Sequence, residues 1–283
     1  MPATRPLMPA AARNPDLQFA EGLARAFAGA VIFGLPLLMT MEMWWLGFQM
    51  SALRLALLTA LFFPFLVALS WHAGFEPTFS WKDDVLDALV AYGVAFIASA
   101  LLLAMLGALT PGDGLREALG KVCLQAVPAS IGALLAQSQL GESGAGSDTR
   151  GGRSSYASEL FIMAVGALFL AFNVAPTGEV LVISLRLAEW QALLLIFATL
   201  AIMHAFVYGA AFRGRPRKHP QARWWSLFGR FTLVGYAIAL LLSAYLLWSF
   251  GRLEGLSAIS SLKQAVVLGL PAAIGAAAAR LIL

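Results

Sequence analysis

Charge is scarce in this chain. Asp, Glu, Lys and Arg supply 12% of its 283 residues, where an average soluble domain carries about a quarter. Cysteine is nearly absent: Cys123 stands alone, which excludes an intramolecular disulfide, and its apolar surroundings read as those of a small buried side chain. Histidine occurs three times, without the ligand spacing of a metal cluster. The sequence holds no His-Glu-x-x-His, no Gly-x-Ser-x-Gly and no Gly-x-x-x-x-Gly-Lys-Ser/Thr. The motifs of zinc peptidases, serine hydrolases and phosphate-binding loops are therefore missing. The glycine-rich stretch 141–152 has neither the strand nor the lysine that would cradle a phosphate. These absences lead to the expectation of no catalysis, no cofactor and no metal. Residues 1–16 also lack the apolar core and cleavage site of a signal peptide, and read as a cytoplasmic tail.

What the chain has instead is apolar surface. Hydrophobic residues make up 60% of it and the mean hydropathy is +0.80. A water-soluble globule of this size has nowhere to bury so much, so the solvent is lipid. A helix needs about 20 residues to cross the hydrocarbon. Runs of that length lie at 27–48, 53–72, 87–109 and 117–139, and again at 159–182, 189–211, 228–250 and 261–283. Because lipid offers no partner for backbone N–H and C=O groups, such runs are helices. The expected fold is all-α: a polytopic membrane protein with eight transmembrane helices. Asn14, Pro15 and Asp16 form a plausible start signal for the first helix.

The chain also repeats itself. At an offset of 137, Gly29, Ala30, Thr40 and Glu42 meet Gly166, Ala167, Thr177 and Glu179, and Phe75 meets Phe212. At an offset of 143, Pro128-Ala-Ser-Ile-Gly-Ala133 meets Pro271-Ala-Ala-Ile-Gly-Ala276. The reading is two four-helix units, 17–140 and 157–283, joined by a flexible polar linker at 141–156. Four spans per unit is an even number, so both units enter from the same side, as parallel repeats about an axis along the membrane normal.

Thirteen of the 19 Lys and Arg residues fall on the side of the termini and six on the other. The positive-inside rule then places both termini in the cytoplasm of a cell with a bacterial inner membrane. The basic loop Arg213, Arg215, Arg217, Lys218 and Arg223 reads as a topology signal that also meets anionic lipid headgroups, with no nucleic-acid partner expected. Trp44 and Trp45 on one side, and Trp224 and Trp225 on the other, suit interfacial belts.

Glu42 and Glu179 are the residues of most interest. Ionisable groups within membrane segments are costly and often mark ion or proton paths. Duplication would bring these two towards a shared axis, with Thr40, Thr177 and Asn173 beside them. In a plainer reading both are interfacial, Glu42 reaching headgroups beside Trp44 and Glu179 pairing with Arg186. Pro36 and Pro176 with Gly178 free backbone groups just before the glutamates. His204 is a lone intramembrane histidine that could relay protons. Gln125, Ser130 and Gln137 either line a polar path or hydrogen-bond to neighbours, and Asp83 and Asp84 are read as capping the third span. Gly132 and Ala133, like Gly275 and Ala276, belong to small-xxx-small seams that let helix backbones approach, here expected where the fourth and eighth spans meet.

The Met39-to-Trp45 end of the first run, the eight spans and the length resemble an uncharacterised bacterial family of integral membrane proteins defined by a domain of unknown function. The resemblance covers about 17–283 and implies neither a reaction nor catalytic residues. The functional expectation is a small transporter or channel for a cation or proton that uses Glu42 and Glu179. The alternative is a membrane scaffold or sensor whose basic loop contacts lipid or a partner. Homo-oligomers fit either reading.

Overall fold

A computed structural model of the chain describes residues 15–73, 81–140, 156–212 and 224–282. The basic loop 213–223 and the linker 141–155 lie outside the described residues, and so does the tail up to residue 14. Every element is helical. In the first half these are α1 (Pro15–Leu38), α2 (Met41–Gln49), α3 (Ala52–Ala73), α4 (Trp81–Met105) and α5 (Leu115–Leu140). The second half has α6 (Tyr156–Val174), α7 (Glu179–Arg186), α8 (Glu189–Phe212), α9 (Trp224–Leu227), a π-helical turn at Phe228–Leu233, α10 (Val234–Ser249) and α11 (Ala258–Ile282). Among the described residues eight helices are long and apolar enough to cross a membrane. That is the expected number.

Two expected spans are each a long helix followed by a short one. The run 27–48 breaks after Leu38, where Thr40 is extended at φ −97 and ψ 122. The run 159–182 breaks between Val174 and Glu179. Both breaks use the same device. Thr40 Oγ1 donates to the Leu37 carbonyl at 2.7 Å and Thr177 Oγ1 to the Val174 carbonyl at 2.8 Å. A threonine hydroxyl bonding to its own backbone competes with the helical ladder. Pro36 and Pro176, each lacking an N–H, weaken the turn beside it. Apolarity alone does not reveal such a break, because residues on both sides of it are apolar.

Within each half the last helix closes on the first. Gly29 on α1 crosses Gly132 on α5: a methyl at Gly29 would lie 2.8 Å from Ala136 Cβ and 2.9 Å from the Gly132 carbonyl carbon. Gly166 on α6 crosses Gly275 on α11 in the same way, with a methyl at Gly166 lying 2.5 Å from Ala279 Cβ and 2.8 Å from the Gly275 carbonyl carbon. Only glycine allows backbones this close. The small-residue seams therefore join α5 to α1 and α11 to α6. The expected meeting of the fourth and eighth spans is replaced by these two crossings, because each seam finds its glycine partner within its own half. Ala133 and Ala276 are fully buried beside them.

The third long helix of each half ends in a Schellman turn. Gly107 and Gly251 take φ values of 70 and 71, the left-handed conformation that glycine adopts without a Cβ penalty. Ala108 N–H donates to the Leu103 carbonyl at 2.9 Å, and Arg252 N–H to the Leu247 carbonyl at 2.8 Å. These are the six-to-one bonds of that motif. The turn folds the chain back over the end of the helix, so residues 108 and 252 sit at the end of the bundle away from the termini (here the far end).

The halves touch along a seam of phenylalanines. Phe33 meets Phe169 at 4.8 Å, Phe65 meets Phe161 at 5.1 Å and Phe62 meets Phe172 at 6.1 Å. Phe172 continues to Phe250 at 6.1 Å. Rings at such separations gain from edge and offset contacts beyond area burial. At the end near the termini, Arg280 of α11 pairs with Glu159 of α6 at 2.9 Å and lies 3.7 Å over the Phe231 ring.

Candidate functional site

Glu42 and Glu179 each occupy the first turn of a short helix, α2 and α7. A carboxylate there meets the unpaired N–H groups and the positive end of the helix dipole. Both lie outside the eight spans, at the far end of the bundle. Glu42 is half-buried and Glu179 exposed. Thr177 and the backbone amide of Glu179 hold the Glu179 carboxyl below the usual carboxylate range: the amide contributes most, then the threonine hydroxyl, while burial opposes and Arg252 adds a smaller pull.

Arg252 lies within electrostatic range of both glutamates. Its guanidinium feels the charge of both Glu42 and Glu179, which offset part of the burial that pulls its pKa down. It donates from Nη2 to the Pro176 carbonyl, a group exposed by the break before α7. One cation thus bonds a free carbonyl within electrostatic range of two carboxylates. Arginine suits this position because it stays charged and presents several donors in a fixed plane.

Arg252 also lines a cavity of about 380 Å³ between the two halves. Gln49, Ser51 and Arg54 line it from the α2–α3 corner, and Ser249 and Glu254 from the α10–α11 corner. Arg54 forms an ion pair with Glu254 and lies 5.3 Å over the Trp248 ring. Two polar atoms here lack a hydrogen-bond partner in the protein although buried: Arg252 Nε and Ser249 Oγ. The Ser249 hydroxyl lies near that of Tyr245, one turn earlier, without completing a bond. Buried donors without partners are rare, so these mark a place where a ligand or water belongs. Beneath the cavity floor formed by Phe250 begins the phenylalanine seam.

The remaining predicted residues are distributed elsewhere. Asn173 donates to the Phe169 carbonyl one turn back at 2.7 Å. Gln125 donates to the Gly34 carbonyl at 2.7 Å and Ser130 to the Val127 carbonyl at 2.6 Å, so both serve the backbone. The side chain of Gln137 is outside the described residues. His204 contacts Thr232 at 2.9 Å and Phe228 at 5.3 Å. It lies 15 residues along α8 from Glu189, roughly 22 Å at 1.5 Å per residue, and is not part of the Glu42–Arg252–Glu179 group. Arg213, Arg215, Arg217, Lys218 and Arg223 are outside the described residues.

Sequence reasoning missed Arg252 and Arg54, which entered it only among the counted basic residues, and Glu254, which did not enter it at all. The usable signal was Gly251-Arg-Leu-Glu-Gly255, a short corner with charges held between two glycines. It also missed Lys121, buried at the start of α5, which bonds the Ala108 carbonyl at 2.8 Å, Asp113 at 3.0 Å and Glu117 at 2.6 Å. Lys121 thus ties the first half's Schellman corner to α5. Asp87, receiving a 2.6 Å bond from Ser70, went unnoticed within an apolar run.

Comparison with known proteins gives one positive result. A family described as "Putative integral membrane protein (DUF2391)" matches residues 22–283. No curated protein and no solved structure matches.

Proposed function

We propose, for a chain that belongs to this DUF2391 family of integral membrane proteins, a role as a small transporter or channel for a cation. Glu42 and Glu179 supply the negative charge and Arg252 is their resident counter-ion. The observation that carries this reading is the placement of Arg252, which bonds the Pro176 carbonyl and lines an inter-half cavity within electrostatic range of both carboxylates. An entering cation would compete with Arg252 for the negative field of the two carboxylates. A proton is the weaker candidate, since Glu179 is biased towards its ionised form and a carrier of protons works best with a pKa near the ambient pH. In this reading the phenylalanine seam is the barrier below the cavity, and the halves, each closed by its own glycine crossing, are the moving bodies. The setting is a bacterial inner membrane with both termini cytoplasmic.

Flux of monovalent cations into proteoliposomes tests the proposal. Wild type is expected to exceed protein-free liposomes, with Glu42→Gln and Glu179→Gln close to background and Arg252→Gln altered in ion selectivity. Equal flux in wild type and both glutamate variants would sink it.

A further inference from the structure

A second, apolar cavity of about 120 Å³ lies along the same inter-half seam, lined by Leu58, Leu61, Phe62 and Phe65 of α3, Leu168 and Phe172 of α6 and the Leu242–Leu246 stretch of α10. It shares helices with the polar cavity. On α3, Arg54 lines the polar cavity while Leu58 and Phe65, four and eleven residues on, line the apolar one. At 1.5 Å per residue these lie roughly 6 and 17 Å deeper, a span matching one leaflet of a hydrocarbon core about 30 Å thick. On α10 the same order holds, with Ser249 above and Leu246 and Leu242 below. Leu61 is 56% exposed, so the apolar cavity has a rim on the lipid side.

We propose that this seam seats one anionic membrane lipid, its phosphate at Arg54 and Arg252 and a few methylenes of one acyl chain in the apolar cavity beneath. The inference draws on the same Arg252 as the transport reading, but its test reads lipid retention rather than flux, so the two can fail separately. Its basis is the juxtaposition of a two-guanidinium cavity with an apolar slot at the depth of a lipid tail. The side chains lining the polar cavity carry two guanidiniums against the single carboxylate of Glu254, with Glu42 and Glu179 near Arg252 but outside the lining. Guanidinium and phosphate match in geometry as well as charge. Arg252 Nε, buried and unpartnered, is a donor waiting for an acceptor. The rim tryptophan Trp248, stacked under Arg54, has the amphipathic character that suits the headgroup level. A free phosphate would satisfy the arginines but leave the slot below unexplained. Only a lipid uses both.

Native mass spectrometry tests this on the full chain in neutral detergent, offered equal amounts of phosphatidylglycerol and phosphatidylcholine with the same tails. Wild type is expected to retain one phosphatidylglycerol in preference to phosphatidylcholine. Arg54→Gln and Arg252→Gln should each reduce that preference about tenfold, the effect of losing one charge-assisted hydrogen bond. Glu254→Gln should increase it, because Arg54 is then released to the phosphate; a purely structural role for the ion pair gives no such increase. Leu61→Trp, which blocks the rim, should reduce retention of both lipids, whereas Leu193→Trp on the exposed face of α8 should not. Equal retention of the two lipids by wild type overturns the proposal, as does an unchanged or lower preference in Glu254→Gln. If Arg252→Gln fails to fold, the Arg54 and Glu254 variants decide the matter.

Discussion

Adding one methyl group at the helix crossings gives a sharp test of how each half is built. In Gly29→Ala the new Cβ would lie 2.8 Å from Ala136 Cβ and 2.9 Å from the Gly132 carbonyl carbon. The Gly132 carbonyl oxygen is nearer still, and carbon atoms in comfortable contact are about 3.5–4.0 Å apart, so α1 and α5 must separate by roughly 1 Å. A gap of that size forfeits about a quarter to a half of the dispersion energy of the contacts around it. Overpacking of this kind costs typically about 1–3 kcal/mol. Gly166→Ala meets Ala279 Cβ at 2.5 Å and the Gly275 carbonyl carbon at 2.8 Å, so its cost should fall in the same range. The control is Gly93→Ala. Gly93 lies on an exposed face of α4, where an added Cβ meets nothing within 4 Å, and alanine's better helix propensity should leave it neutral or more stable by up to about 1 kcal/mol. Reversible unfolding in mixed micelles of mild and denaturing detergent gives the midpoints. If Gly29→Ala and Gly166→Ala unfold where Gly93→Ala does, the close crossings are not what hold the halves together.

Lys121→Met leaves Asp113 and Glu117 without their shared ammonium and should lower the unfolding midpoint in the same micelle assay, because their charges lose a hydrogen-bonded partner. The Lys121 ammonium and the Thr110 hydroxyl and amide hold the Asp113 carboxyl below the usual range. A depressed carboxyl pKa stabilises the fold fully above its unfolded value of about 4 and loses that contribution as pH falls through the folded value. The wild-type midpoint should therefore drop on acidification below about pH 4, and the drop should be smaller in Lys121→Met; parallel curves would contradict this. Phe172→Ala removes a fully buried ring that touches both Phe62 and Phe250. It should cost about 3–5 kcal/mol and raise background ion leak in proteoliposomes, whereas a leak equal to wild type would remove the seam from the list of barriers.

The sequence by itself determined the solvent and the element type. So many apolar residues in runs of membrane length, in a medium that offers the backbone no partners, permit little except spanning helices. It also marked the glycines and the Thr-x-Glu pairs, because both recur at a fixed offset. Tertiary structure alone decided where those groups act. Whether an apolar run is one helix or two depends on a threonine hydroxyl turning back to a carbonyl, as at Thr40 and Thr177, and hydropathy does not register that bond. A seam of small residues says that some backbone comes close, but Gly132 meets Gly29 rather than the eighth span because shape complementarity, not composition, selects the partner. Arg252 is one of 19 basic residues in the sequence. Only the left-handed turn at Gly251, folding the chain back over the end of α10, brings its guanidinium within electrostatic range of two carboxylates 210 and 73 positions away in the chain. Charge interaction depends on separation in space, and that distance exists only once the helices have packed.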